Sequence, residues 1–129
     1  AVNTEKLCPQ GWHVPANHEW NILSDYLGIN AGSKMKETGT TKWINPNSGA
    51  SNASGFTAIP AGSRDPWFLE WLYSTFGYLG YHTYWWSATE YFPSNLGYAV
   101  WLNNEGSAFS NESSLILKID GLSVRCLKD

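Results

Sequence analysis

The sequence is short of charge, of cysteine and of long hydrophobic runs, and each shortage excludes a class of protein. It has 8 Lys and Arg against 11 Asp and Glu, a net charge of −3, so it lacks the basic face that nucleic-acid binding requires. No apolar stretch reaches the roughly 18 residues that cross a bilayer, so we expect no membrane insertion. The length of 129 residues fits one domain.

Only two cysteines are present, Cys8 and Cys126, and they lie near opposite ends of the chain. The simplest interpretation is one disulfide that ties the two ends together, which implies an extracytoplasmic location, secreted or on the cell surface. The alternative is a pair of buried free thiols. Two widely separated cysteines do not favour a metal site, because structural metal sites draw on four close ligands.

Aromatic residues are abundant instead, since 8 Trp, 7 Tyr and 5 Phe make up 16% of the chain. Large rings suit an irregular, loop-rich fold because they bridge the gaps between short elements. The segment 84–90 reads Tyr-Trp-Trp-Ser-Ala-Thr-Glu, has no Gly or Pro, and is typical of a strand. Trp85 and Trp86 then point to opposite faces. We expect one to anchor the core while the other packs under a second layer or lines a surface.

One helix is predicted after the turn that contains Pro15. Asn17 is the predicted N-cap, with Glu19 in the first turn, where a carboxylate suits the helix dipole. Alternatively, Pro15 occupies the first turn and the boundary shifts by two residues. Gly28 is a good stop signal. Four residues at helical spacing give this segment one apolar face: Trp20, Leu23, Tyr26 and Leu27.

The remaining elements are predicted to be short strands. Segments 56–60 and 98–102 are extended, residues 103–106 form a hairpin-like turn, and the end of the chain alternates as a strand does. A long loop rich in Asn, Ser and Gly spans residues 43–56. The predicted fold class is α+β, with one or two helices packed on short antiparallel strands with long loops.

Four sequence blocks, in this order, resemble one known family. They are Cys-Pro-Gln-Gly-Trp-His-Val-Pro-Ala-Asn-His-Glu-Trp at 8–20, Gly-Ala-Ser-Asn-Ala-Ser-Gly-Phe-Thr-Ala-Ile-Pro-Ala-Gly-Ser-Arg-Asp at 49–65, Tyr-Trp-Trp-Ser-Ala-Thr-Glu at 84–90 and Gly-Leu-Ser-Val-Arg-Cys-Leu-Lys-Asp at 121–129. Together they are similar to the Fibrobacter succinogenes major paralogous domain family of secreted and surface proteins in Fibrobacter and Bacteroidetes. The blocks span nearly the whole chain, so the match is specific.

The resemblance implies a C-type-lectin-like fold, distantly related to formylglycine-generating enzymes, in a secreted protein or a lipoprotein. It implies a single C-type-lectin-like domain over residues 1–129. The family usually has a further strand and helix before the Cys-Pro-x-Gly-Trp block, and only seven residues precede Cys8 here. The alternative is therefore a domain that lacks this pair. The family has no settled biochemical activity, so the resemblance implies fold and location rather than function.

The strongest candidate binding surface is the segment 67–73, Trp-Phe-Leu-Glu-Trp-Leu-Tyr, in which only Glu70 interrupts six large apolar residues. It is longer and more apolar than the resemblance leads us to expect. Exposed patches of this kind mark ligand or partner sites, and aromatic rings stack on the apolar faces of sugars. The alternative is that these rings cover the core. The residues predicted to bind ligand are Trp67, Phe68, Trp71, Tyr73, Tyr81, His82, Asn95 and Asn103.

We expect no cofactor and no metal. The segment Trp-Leu-Asn-Asn-Glu at 101–105 is similar to the Trp-Asn-Asp calcium ligands of sugar-binding C-type lectins, but the Glu-Pro-Asn or Gln-Pro-Asp triplet of those proteins is absent. Calcium-dependent sugar binding is the less favoured alternative, and a capped turn is the simpler interpretation. The three histidines, His13, His18 and His82, have no metal-binding spacing.

Catalysis is disfavoured, because no Ser-His-Asp spacing, phosphate-binding Gly-rich loop or carboxylate pair stands out. Formylglycine-generating enzymes use redox cysteines near a substrate groove, whereas both cysteines here suit a structural bridge. The sequence predicts a noncatalytic extracellular binding module, not an enzyme, that recognises a glycan through an aromatic surface. The alternatives are a protein–protein interaction or adhesin module of a cell-surface assembly and, less favoured, a divergent enzyme. The expected partner is a glycan or a cell-surface protein.

Overall fold

The computed structural model describes residues 7–65, 75–92 and 95–129. These ranges contain short elements joined by long loops, and they confirm the predicted α+β class. No helix in them is long and apolar enough to cross a membrane. The described elements are, in order, β1 (Trp12–His13), α1 (Asn17–Leu27), α2 (Ala31–Met35), β2 (Ser63–Asp65), β3 (Thr75–Gly77), β4 (His82–Glu90), β5 (Leu96–Asn103), β6 (Ser110–Leu117) and β7 (Leu127–Lys128).

Within the described residues the strands form three small antiparallel groups. β4, β5 and β6 make a three-stranded sheet, while β1 pairs with β7 and β2 pairs with β3. The edge of β4 that faces away from β5 forms bridges to two loops, at Gly62 and Ser123. These loop contacts satisfy part of the backbone that an edge strand otherwise leaves open.

The two adjacent tryptophans of β4 lie on opposite faces of the sheet, Trp85 on the inner face and Trp86 on the outer face. Trp85 is 6% exposed, and its ring centroid is 6.0 Å from that of Trp20 and 5.4 Å from that of Phe56. Trp86 is half-buried and lies over Gly97, where an added Cβ would be 3.1 Å from the indole ring. The predicted division of roles is confirmed. The buried apolar cluster consists of Trp20, Leu27, Ala31, Met35, Trp43, Ala58, Trp85, Val100, Leu102 and Phe109.

The start of α1 corrects the predicted N-cap. Ala16 is the N-cap, one residue before Asn17, and it has no side-chain oxygen to accept a hydrogen bond. The amide of Ala16 instead donates to Oε2 of Glu19 at 2.9 Å, and the amide of Asn17 donates to Oγ1 of Thr89 at 2.9 Å. A strand residue 72 positions away therefore satisfies a helix-end donor, which local capping rules do not foresee. The predicted stop at Gly28 is confirmed.

The apolar face of α1 is narrower than predicted. Trp20 and Leu27 are buried and Leu23 is half-buried, but Tyr26 is 86% exposed. At about 100° per residue, Tyr26 lies roughly 240° around the helix from Trp20, which places it on the solvent side. The face that packs on the sheet is thus formed by fewer residues than the sequence pattern indicates.

Residues 56–60 do not form the predicted strand. Thr57 has a positive φ of 55°, which interrupts the extended backbone, and Ala58 makes a single bridge to Lys36. The carbonyl of Ala58 accepts the indole N–H of Trp43 at 2.9 Å. The segment is therefore held by this buried side-chain hydrogen bond and by the backbone bonds of Ala58 to Met35 and Glu37, where a strand ladder was expected.

A disulfide and a short strand pair join the two ends of the described chain. Cys8 and Cys126 are bonded, with their Cα atoms 5.8 Å apart, which confirms the predicted disulfide. His13 lies beside this junction, with Nδ1 2.6 Å from Oδ1 of Asp129 and Nε2 2.8 Å from Oε1 of Glu19. These hydrogen bonds, to Asp129 first and Glu19 second, raise the pKa of His13 above its usual 6.5.

The loop at residues 43–56 is fixed by a buried lysine at the end of α2. Lys36 is fully buried, and its Nζ donates to the carbonyls of Ser48 at 3.0 Å, Asn103 at 3.2 Å and Gly106 at 2.8 Å. An ammonium has three N–H donors, and these bonds use all of them. One side chain therefore connects α2, the loop and the turn between β5 and β6.

We expect Trp85→Ala and Trp86→Ala to differ sharply in stability. The first removes a fully packed ring from the core and should lower the free energy of unfolding by about 3–5 kcal/mol. The second removes a half-exposed ring and should cost about half as much or less. Urea denaturation followed by far-UV circular dichroism measures both. Equal losses would contradict the assignment of the two rings to opposite faces.

We also expect the folded protein to lose stability as the pH rises through the pKa of His13. Because this pKa is raised on folding, the stabilisation is fully present below pH 6.5, while Glu19 and Asp129 are ionised, and it is lost above the folded pKa. Urea midpoints measured as a function of pH test this. His13→Gln is the control, since it stays polar but does not titrate. A pH-dependent loss of the same size in His13→Gln would show that other groups cause it.

Candidate functional site

Four rings meet on the outer face of the β4–β5 sheet, and we call them the aromatic cluster: Tyr78, His82, Tyr84 and Trp101. His82 is central, with its ring centroid 5.0 Å from that of Tyr78, 5.7 Å from Tyr84 and 5.9 Å from Trp101. Alternation places His82 and Tyr84 on one face of β4, and the strand register sets Trp101 opposite Tyr84. The His82 ring plane is 15° from that of Trp101 and 28° from that of Tyr84, so His82 is stacked against both of these rings.

The central pair of the aromatic cluster is uncharged at neutral pH. Burial lowers the pKa of His82 below its usual 6.5, against the smaller opposing effect of Glu105. Burial, and then Tyr78, raise the pKa of Tyr84 above its usual 10.0. Nδ1 of His82 is 2.9 Å from the Tyr84 hydroxyl, and the indole N–H of Trp101 donates to Oγ of Ser114 at 3.1 Å. The cluster thus combines neutral ring faces with polar atoms that are already oriented.

The turn before β4 exposes two tyrosines, of which Tyr78 contacts the centre of the cluster. Tyr78 is 51% exposed and Tyr81 is 46% exposed. The amides of Tyr81 and His82 both donate to the Tyr78 carbonyl at 3.0 Å. Tyr78 has a φ of 59°, a left-handed conformation that costs a bulky residue roughly 1–3 kcal/mol and that is concentrated at functional sites. The turn therefore holds Tyr78 against His82 at a conformational cost.

Three further apolar side chains border this turn, and we call them the apolar rim: Ile44, Phe76 and Leu79. They are 40%, 82% and 72% exposed, respectively. The amide of Ile44 donates to the carbonyl of Gly80 at 2.8 Å, and a Cβ added to Gly80 would be 3.0 Å from the Ile44 side chain. The apolar rim therefore adds aliphatic and aromatic surface directly beside the exposed tyrosines.

The sequence matches a known domain family over almost its full length. A family model described as the Fibrobacter succinogenes major domain matches residues 1–128. The chain belongs to the Fibrobacter succinogenes major domain family. No curated protein and no solved structure matches it. The family predicted from the four sequence blocks is confirmed, and its C-type-lectin-like relationship stays a prediction.

In this Fibrobacter succinogenes major domain, the structure brings some of the predicted ligand-binding residues together and separates one of them. His82 is the centre of the aromatic cluster, Tyr81 directly precedes it in the chain, and Asn103 lies opposite it on β5. Asn95 precedes β5 at its other end, about 25 Å along the strand, where its carbonyl accepts the amide of Lys118. The remaining predicted residues lie outside the described residues: Trp67, Phe68, Trp71 and Tyr73.

Three members of the aromatic cluster were not predicted as site residues from the sequence. Tyr84 follows His82 by two positions in a strand, so alternation alone could have added it. Trp101 joins them only through the register between β4 and β5, which no local signal specifies. Tyr78 joins them through a left-handed turn that is unusual for tyrosine. The sequence alone therefore predicted only part of the aromatic cluster on the outer face.

The amides that the sequence suggested for calcium have structural partners. Oδ1 of Asn103 accepts the amide of Gly106 at 2.6 Å, and Nδ2 of Asn104 donates to the carbonyls of Ile44 at 3.2 Å and Asn45 at 3.3 Å. Residues 103–106 therefore form a turn capped by its own side chains. In the part of the chain that the structure describes, no three His, Cys, Asp or Glu side chains come together as a metal site.

A cavity of about 550 Å³ lies beside the disulfide and is lined by residues 7–14, Ala88 and Asp129. No member of the aromatic cluster lines it. His82 and Tyr84, whose pKa values are shifted, are therefore not part of this cavity.

NMR titration of the imidazole resonances should separate the two perturbed histidines. We expect a midpoint below 6.5 for His82, because burial disfavours its charged form, and a midpoint above 6.5 for His13, because two carboxylates favour it. Because the pKa of His82 is lowered on folding, the free energy of unfolding should decrease as the pH falls through that pKa. This pH dependence is opposite to the one expected for His13. His82→Gln and His13→Gln assign the resonances. A His82 midpoint at or above 6.5 would contradict the partly buried, neutral ring.

Proposed function

We propose that this Fibrobacter succinogenes major domain is a noncatalytic extracellular binding module that recognises a glycan through the aromatic cluster, Tyr81 and Asn103. The observation that carries the proposal is the neutral His82 ring, stacked against those of Tyr84 and Trp101, with the half-exposed Tyr78 beside it. Sugar rings have apolar C–H faces that stack on aromatic faces, and a neutral platform keeps the cost of desolvation low.

Polar groups at the edge of the platform supply the hydrogen bonds that a sugar hydroxyl needs. The Tyr84 hydroxyl lies within the cluster, next to His82. Asn103 is held in place because its Oδ1 accepts the Gly106 amide, so its Nδ2 projects from a fixed turn. Fixed donors lose little conformational entropy when a ligand binds.

The disulfide supports the extracytoplasmic part of the proposal. Cys8 and Cys126 bridge the two ends of the domain, and such bonds persist mainly in oxidising compartments. A location outside the cytoplasm is also where glycans of cell walls and surfaces are met.

The environments of the perturbed groups support binding over catalysis. The Lys36 ammonium is fully buried, and all of its donors are used by carbonyls, so it has no free donor and no exposed surface for a substrate. His82 and Tyr84 are hydrogen-bonded to one another, and neither lines the described cavity beside the disulfide. Catalytic groups with shifted pKa values are more typical of a cleft that excludes water.

A protein partner at the same surface is the second candidate function, and the apolar rim favours it. Phe76 and Leu79 are strongly exposed, and protein interfaces use broad apolar surface of this kind around aromatic anchors. Glycan binding should depend on the tyrosines, whereas binding of a protein partner should depend on the apolar rim as well. The two candidates therefore have different mutational signatures.

A binding screen against plant and bacterial polysaccharides tests the glycan proposal. We expect the double variant Tyr78→Ala/Tyr81→Ala to keep its fold, because both side chains are about half exposed, and to lose affinity at least about tenfold, or ~1.4 kcal/mol. Tyr26→Ala is the matched control, since Tyr26 is 86% exposed on α1, and it should bind as the parent does. Trp67→Ala/Trp71→Ala tests the predicted segment in the same screen.

Unchanged affinity in Tyr78→Ala/Tyr81→Ala would contradict the aromatic platform. If the parent domain binds none of the polysaccharides, the glycan proposal is removed for those ligands and the protein partner is favoured. Phe76→Ser/Leu79→Ser then tests that candidate, because it removes the two most exposed side chains of the apolar rim and leaves the aromatic cluster in place. Loss of a protein partner in this variant, with the tyrosines intact, is the result that the second candidate predicts.

A further inference from the structure

Lys36 is a buried cation whose hydrogen-bond acceptors among the described residues are backbone carbonyl oxygens. Its side chain is fully buried, and its ammonium is not among the ion pairs of the described residues. Three carbonyl oxygens surround Nζ at 2.8–3.2 Å, and the ring centroid of Trp43 is 5.7 Å away. Three acceptors require three N–H donors, so the group is an ammonium and not a neutral amine. Burial lowers the pKa of Lys36 from its usual 10.5.

The three carbonyls come from two segments, which Asn104 also joins through hydrogen bonds to Ile44, Asn45 and Ser48. Ser48 belongs to the loop at residues 43–56, and Asn103 and Gly106 belong to the turn between β5 and β6. Convergent backbone carbonyls are what proteins use to hold a hard metal cation. Here the ammonium of Lys36 takes the place of such a cation among the three carbonyl oxygens.

The turn that Lys36 holds is also the turn that carries the binding surface. Asn103 lies opposite His82 in the sheet. The amide of Asn104 donates to the carbonyl of Tyr81 at 2.9 Å, and the carbonyl of Asn104 accepts the amide of Ser48 at 2.8 Å. A displacement of this turn therefore reaches both the exposed tyrosine and the centre of the aromatic cluster.

We propose that Lys36 is a positioning residue for the binding surface, in which its ammonium acts as an internal cation that fixes the 103–106 turn against Tyr81 and His82. The turn accordingly needs no bound metal ion to keep its shape. The proposal rests on the proposed function only in naming this face as the binding surface, and the geometry it predicts is measurable without a ligand.

Lys36→Met tests this directly, because methionine fills much of the space and donates no hydrogen bond. We expect hydrogen exchange of the Asn104 amide to accelerate at least about tenfold, because the variant loses the charge-assisted hydrogen bonds that hold the turn. Exchange of the Val100 amide, in the centre of the sheet, should change little. The His82 NMR midpoint should move towards 6.5 as its surroundings loosen. Lys34→Met is the matched control, since Lys34 lies two residues earlier and donates to the Leu27 carbonyl instead.

Chemical rescue distinguishes a positioning role from a general loss of packing. Lys36→Ala removes the atoms of n-propylammonium, so refolding with that cation should restore slow Asn104 exchange, and neutral 1-propanol should not. In the parent protein, EDTA and CaCl₂ should leave Asn104 exchange and the His82 midpoint unchanged.

Normal Asn104 exchange and a normal His82 midpoint in folded Lys36→Met would overturn the proposal. So would faster Asn104 exchange in the parent protein treated with EDTA, a result that can be obtained even if no Lys36 variant folds. Because none of these measurements uses a ligand, failure of the polysaccharide screen affects only the proposed function and leaves the Lys36 result interpretable.

Discussion

The loop at residues 43–56 and the turn at residues 103–106 depend on the buried ammonium of Lys36 and its three carbonyl partners. A fold with few strands leaves many backbone carbonyls without a ladder partner, and a buried carbonyl without a donor is costly. Lys36 supplies three donors at one point, Asn47 donates to the carbonyls of Glu37 and Gly39, and Trp43 donates to that of Ala58. Side chains thus replace the hydrogen bonds that regular structure provides elsewhere.

β4 couples the core to the candidate site, because its two faces carry the two sets of rings. Trp85 packs with Trp20 and Phe56 on the inner face, while His82 and Tyr84 build the aromatic cluster on the outer face. A register slip of one residue would exchange the two sets. The stability of the core therefore specifies the register that brings the cluster together, so the surface is ordered by the same interactions that fold the chain.

The features that the sequence predicted are those with local causes or few possible partners. The composition of 84–90 indicates a strand by itself, Gly28 ends the helix by its conformational freedom, and two cysteines allow only one intramolecular pairing. The features that it did not predict depend on distant contacts. The first turn of α1 is satisfied by Thr89, and the outer face of β4 is completed by Trp101. Neither contact can be recognised from the local pattern of residues.

Lys36 is the strongest case of such a distant dependence. A lysine close to another lysine, in a polar stretch, has the local pattern of a solvated surface charge, yet its three acceptors lie 12, 67 and 70 residues away. Any chain that keeps this arrangement of loop and turn must satisfy the same carbonyls. A family member with an uncharged residue at this position therefore has to recruit water or an ion, or fold the turn differently.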